Sequence, residues 1–144
     1  MTGIKYRNGP VIVKEAPSAA TGTYAAGEVV GLTSGACVIG ANGNCAGVSL
    51  QAAVTGGTTK FLVITPENEW IMSYASTTAA TQVGVDYLLT YTTGSQVVSA
   101  TTTTPTVTVQ ELDKRDAVGA SGGRLIVRFN QANCVMTGLV TAAS

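Results

Sequence analysis

The chain has 144 residues, one domain's worth, and a 45% hydrophobic content that suffices for a packed core. Eight acids balance eight bases and charge is scarce, so the sequence carries no basic footprint for nucleic acid. Histidine is absent, which removes the commonest general base, metal ligand and pH switch.

The N-terminus, Met1 to Pro10, lacks the apolar run of a secretory signal, and no stretch is apolar over the roughly 18 residues that a membrane span needs. Synthesis in a cytoplasm is the expectation. Ile4 and Tyr6 alternate with Lys5 and Arg7, Gly9-Pro10 breaks the chain, and Val11-Ile12-Val13 is a short strand-like run. Ala16 to Gly22 is a linker by composition. Residues 1–22 therefore read as an extended arm ahead of a domain spanning 23–144, with a first core strand as the alternative.

From Tyr24 onward the pattern is strand, turn, strand. Residues 28–32, 36–40 and 45–50 read as strands, and Asn42-Gly43 between the last two carries the strongest two-residue hairpin signal. Residues 60–64 form an apolar strand ended by Pro66. Trp70, Met72 and Tyr74 share one face of the next strand, and Tyr87, Leu89 and Tyr91 one face of the strand after it. Residues 96–99 follow a turn, Thr101 to Pro105 is low in complexity, and Val107 and Val109 alternate with threonines. Asp113 to Gly123 is a charged, glycine-rich loop. In the last strand Leu125, Val127 and Phe129 face in while Arg124 and Arg128 face out. Only the Ala-rich stretch 75–82 and the tail from Gln131 leave room for a short helix. The expected class is all-β, a small barrel or sandwich with an extended N-terminal arm and a short C-terminal tail.

Little in this chain supports catalysis. Three cysteines without a signal peptide argue for buried thiols rather than a disulfide framework. With Asn42-Gly43 as a two-residue loop, Cys37 pairs with Val48, so Cys37 and Cys45 point to opposite faces and make no metal pair. Glu67 and Glu69 share strand parity, the spacing of a solvated face as much as of a carboxylate pair. Asp113 to Asp116 reads as a solvated loop. No catalytic, metal or cofactor residues are expected.

Three features suit contact with other proteins instead. The extended N-terminal segment can add a strand to a neighbour's sheet. The uncharged Thr, Ser and Ala surface suits extended subunit contacts. Trp70, Met72 and Tyr74, with Tyr87 and Tyr91, supply either a core or interface anchors.

The run Ala26-Gly27-Glu28-Val29-Val30-Gly31-Leu32, the hairpin after it, and Ala46 to Ala53 resemble the head-decoration, or cement, proteins of tailed bacteriophages. Thr58 to Pro66, Val83-Gly84-Val85 and the Arg124 to Phe129 strand are similar to the same group, so the resemblance spans residues 24 to 130. It implies a structural virion protein, non-enzymatic, on the outer surface of an expanded icosahedral capsid. The implied partner is the major capsid protein, whose neighbouring subunits it bridges, with a homotrimer as the favoured state and neither nucleic acid nor membrane involved. The arm residues Ile4, Tyr6, Pro10, Val11, Ile12 and Val13 would then contact the capsid. The tail from Gln131 has no counterpart in that group. A head-fibre or tail component is a competing reading, as is a small carbohydrate-binding module with Trp70, Tyr74, Tyr87 and Tyr91 as its stacking platform.

Overall fold

Among the described residues the strand-forming runs fold into ten short strands in two antiparallel five-stranded sheets that pack together, a β-sandwich. This computed structural model describes residues 4–19 and 24–136. Sheet I has the order β1 (Lys5–Asn8), β7 (Glu69–Ser73), β10 (Arg124–Phe129), β9 (Val107–Leu112) and β8 (Asp86–Tyr87). Sheet II has the order β2 (Val13–Pro17), β6 (Thr58–Val63), β5 (Gly47–Ser49), β3 (Val29–Thr33) and β4 (Ala36–Ile39). The two places left open for a helix hold single 3-10 turns, Ala80–Gln82 and Gln131–Asn133.

Alternation places the first core. Trp70 and Met72 from β7, Leu125, Val127 and Phe129 from β10, and Val107 and Val109 from β9 project toward sheet II. There they meet Val29, Val48 and Ile64. A second core lies on the other face of sheet II, because that sheet curls. Ser18, just past β2, bridges to Cys37 on β4, and the Ala19 amide donates to the Cys37 carbonyl at 2.9 Å. The curl wraps a small barrel interior around Tyr24, Val30, Cys37, Ala46, Phe61 and Val63. Gly47 permits the tight wall: a Cβ there would stand 2.4 Å from the Leu62 carbonyl oxygen. The hydroxyls of Ser18, Thr59 and Tyr24 bond to one another inside this barrel, so their burial leaves none unsatisfied.

The hairpin expected at Asn42-Gly43 is only half formed. Ala41 does bridge Asn44, but the chain then diverges, because β3 inserts between β4 and β5. Cys37 consequently lies opposite Leu32, and Val48 opposite Val29, rather than opposite each other. The tight two-residue turn occurs one hairpin earlier, at Ser34-Gly35, where φ is 50° and 79°. The physical reason is the burial of Val29 and Val30 on opposite faces, which demands a central position for β3. Asn44 then seals the vacated edge: its side-chain oxygen accepts from the Leu32 amide at 2.9 Å and its nitrogen donates to the Leu32 carbonyl at 3.1 Å.

Residues 85–91 and 96–99 pair less than expected. Beyond β8 they form isolated bridges, Leu89 with Val98 and Tyr74 with Val98, and scattered backbone bonds such as Leu88 to Thr101 and Thr90 to Val97 rather than a continuous ladder. Side chains add to these bonds. Gln96 accepts from the Val29 amide at 2.6 Å and donates to its carbonyl at 3.2 Å. The buried Glu28 carboxylate accepts from the amides of Ala25 at 2.8 Å and Gly94 at 2.5 Å.

Candidate docking surface

The described part of the N-terminal segment lies along the body. It supplies the edge strand of sheet I as β1 and then crosses to supply the edge strand of sheet II as β2. Every position of β1 and all but one of β2 are exposed. The boundary drawn near residue 22 falls outside the described residues, as does the tail from residue 137.

One row of side chains defines the surface. Val29, Val48, Leu62 and Val13 are in register across β3, β5, β6 and β2. Val29 and Val48 are buried beneath sheet I, Leu62 is half-buried, and Val13 is 51% exposed. The apolar face that builds the inter-sheet core therefore continues past the cover of sheet I into solvent. Val11, two residues before Val13, is 63% exposed. Leu50, whose amide donates to the Lys60 carbonyl at 2.9 Å, adds a further apolar side chain at 49% exposure. Beside this row Glu15 lies opposite Lys60 in register, yet neither they nor Lys14 make an ion pair among the described residues. Val13, Lys14, Glu15 and Lys60 line a shallow cavity of about 360 Å³.

Of the expected contact set, Ile4 is a correction, while Tyr6 is exposed and Ile12 half-buried, each also bonded or packed against the body. Ile4 is buried in the inter-sheet core and its amide donates to the Gly27 carbonyl at 2.9 Å. Tyr6 sets its ring edge-on to Trp70 with centroids 5.9 Å apart and donates its hydroxyl to the Gly9 carbonyl at 2.5 Å. Ile12 packs on the barrel core. These three hold the segment down. Pro10 is exposed, with its carbonyl accepting from the Asn68 side chain at 2.7 Å, and Val11 and Val13 point outward. The residues that sequence reasoning missed are Leu50, Leu62 and Lys60. Leu62 sits inside an apolar run whose exposed end shows only once the sheet order is known.

The trio Trp70, Met72 and Tyr74 is core rather than a set of interface anchors. Trp70 and Met72 are each 1% exposed and Tyr74 is 6% exposed, because their face of β7 points at sheet II. Tyr87 packs against Tyr74 inside the same cluster at 5.5 Å. Tyr91 is held by the Cys45 thiol and Thr106 and donates to Asn42 at 3.1 Å. These aromatics offer no open stacking platform. The three thiols are buried in two places, Cys37 in the barrel and Cys45 with Cys134 between the sheets. Burial pushes Cys45 up to about 11 and Cys134 up to about 12, so both stay as inert thiols at neutral pH.

The outer face of sheet I is built differently. Arg7 pairs with Glu69 at 2.5 Å and Glu111 at 3.0 Å, and Glu69 also receives Arg128 at 3.4 Å. Glu67 lies in the turn before β7 and does not join Glu69 as a carboxylate pair. In the 113–124 loop Asp113 accepts from Arg115, and Asp116 from the backbone amide and guanidinium of Arg124. Those bonds hold Asp113 below the usual carboxylate range and draw Asp116 down to about 2. Among the described residues no helix is long and apolar enough to cross a membrane, and no cluster of metal-ligating side chains is assembled. No protein-family model, curated protein or solved structure matches the chain.

Proposed function

We propose that the chain is a structural virion protein that decorates the outer surface of an icosahedral phage capsid and bridges its major-capsid subunits. The observation that carries the reading is the uncovered end of the inter-sheet core, Val13 with Leu62, flanked by Val11 and Leu50 and by charges without ion-pair partners among the described residues. An apolar strip rimmed by Lys14, Glu15 and Lys60 suits a protein surface with mixed charge. The resemblance of residues 24 to 130 to decoration proteins supplies the address. Many copies acting on one shell would make a modest contact durable.

The test uses Val11→Ser with Val13→Ser. Both side chains are exposed, so the double variant is expected to keep its unfolding free energy in urea to within about 0.5 kcal/mol. It is expected to lose co-sedimentation with expanded phage capsids assembled from a major capsid protein that the unmodified chain binds. Binding equal to that of the unmodified chain would overturn the assignment of this surface. Density for the protein on a fibre or tail in virion images would move the address while keeping the surface.

A further inference from the structure

The sequence holds two Asn-Gly steps, Asn8-Gly9 and Asn42-Gly43, and the structure treats them in opposite ways. Asn-Gly is the step most open to intramolecular deamidation, because glycine puts no side chain in the way of its own amide nitrogen. Both asparagines are exposed, so access to water does not separate them. Their bonding does. The Asn42 oxygen accepts from Tyr91 at 3.1 Å and Thr106 at 2.7 Å, and its nitrogen donates to the Thr104 carbonyl at 3.0 Å. The Gly43 amide, which would have to attack, donates instead to Asn133 at 2.7 Å. At Asn8 the Gly9 amide nitrogen lies 2.9 Å from the oxygen of the Asn8 side chain itself. The Asn8 side-chain nitrogen has no partner among the described residues.

We propose that Asn8 is a spontaneous modification site of this chain, a deamidation clock on strand β1, and that Asn42 is its protected counterpart. The Gly9 amide gives up its proton to hydroxide and forms a bond to the Asn8 side-chain carbon. The carbon–nitrogen bond of the side-chain amide breaks, and ammonia leaves. Water then opens the succinimide at either carbonyl, giving aspartate or isoaspartate. One water is consumed and one ammonia released, with no oxidant or cofactor.

The product matters because of where Asn8 sits. It is in register with Glu69, so a new carboxylate faces one already present, and isoaspartate also lengthens the backbone of β1. Like charges opposed on neighbouring strands disfavour the pairing. Tyr6 on the same strand covers Trp70, which is the single tryptophan in the chain. Loosening β1 therefore reports through Trp70 emission. This inference stands apart from the capsid reading.

The experiment incubates the full chain in warm, mildly alkaline buffer and follows both sites by peptide mapping. A sample unfolded in urea serves as reference. Asn8 is expected to convert at nearly its unfolded rate, and Asn42 on the order of tenfold more slowly, since its bonds must open first. The difference is expected to vanish in urea. Equal rates in the folded chain, faster loss of Asn42, or an Asn8 as slow as Asn42 would each overturn the proposal. Asn8→Asp is expected to red-shift Trp70 emission in the otherwise folded chain, and an unchanged spectrum would sink the link to β1.

Discussion

Two exposed surfaces of this sandwich, the outer face of sheet I and the uncovered margin of the inner face of sheet II, handle charge in different ways. On sheet I and in the adjoining 113–124 loop the arginines Arg7, Arg115, Arg124 and Arg128 all meet carboxylates of their own chain, and of the bases there only Lys5 and Lys114 lack an ion pair among the described residues. On the β2–β6 side of sheet II, Lys14, Glu15 and Lys60 stand beside exposed valines and form no such pairs among the described residues. A face whose charges are mutually satisfied gives up little to a partner, because each contact would have to displace an existing one. A face with unused charge and an apolar row still open to water gains on contact. The contrast separates a finished surface, its arginines paired, from one whose apolar row and charges stay open to water.

The sharpest way to break that contrast is to ask whether the segment carrying the open face is removable. Deleting residues 1–18 would take away β1 and β2, uncover Trp70 and open the barrel seam at Ser18. Burial of Ile4 alone is worth about 1.5–3 kcal/mol. Exposed edges beside Trp70 and Phe61 add to the loss, against a typical total of about 5–15 kcal/mol. The truncated chain is expected to lose most of its urea midpoint or to be unfolded by circular dichroism. A truncation that kept the full midpoint would make the segment a detachable arm and the β2–β6 surface incidental to the fold.

The same segment shows what was legible in the sequence. Alternation in β7 and β10 reads correctly from the order of residues, because one face of each strand is fully buried, although Ile126 on the other face of β10 is buried too. The strand pairing of Cys37 does not, since Asn42-Gly43 and Ser34-Gly35 are both good turn sequences and only the central placement of β3 decides between them. Val11 to Val13 shows the same limit. Its apolar character is plain, but whether Ile12 or Val13 faces the barrel depends on register with Phe61 and Leu62, four dozen residues away in the chain. Gln96 and Asn44 bond to backbone as strands do, and no propensity marks them for that role.

Single charge removals sharpen the comparison at smaller scale. Glu69→Ala leaves Arg7 and Arg128 without their shared carboxylate, and a loss of about 1 kcal/mol in urea unfolding is expected for this partly exposed network. Lys60→Ala and Glu15→Ala remove charges that form no ion pair among the described residues and are expected to change stability by less than about 0.5 kcal/mol. Their effect should appear in capsid association instead. Equal costs on the two faces would erase the distinction between them.

The smallest effect is the response of the paired face to acid. Asp113 and Asp116 are both held below the ordinary carboxylate value, Asp116 at about 2, by bonds to Arg115 and Arg124. A carboxylate depressed by folding stabilises the folded state at every pH above its unfolded value of about 4. That contribution falls away as pH drops from there through the folded value. Stability is therefore expected to be insensitive to these groups between neutral pH and about pH 5, and to decline between about pH 4 and pH 2. Carboxyl-carbon NMR titration should place the Asp116 transition near the bottom of that window. Asp116→Asn should flatten the acid decline without moving the midpoint's dependence at higher pH. Because Asp116 and Arg124 are partly open to water, salt should weaken the effect. An Asp116 that titrated at the ordinary value would mean that the 113–124 loop holds its arginine only loosely, and the claim that sheet I is the finished face would lose one of its pairs.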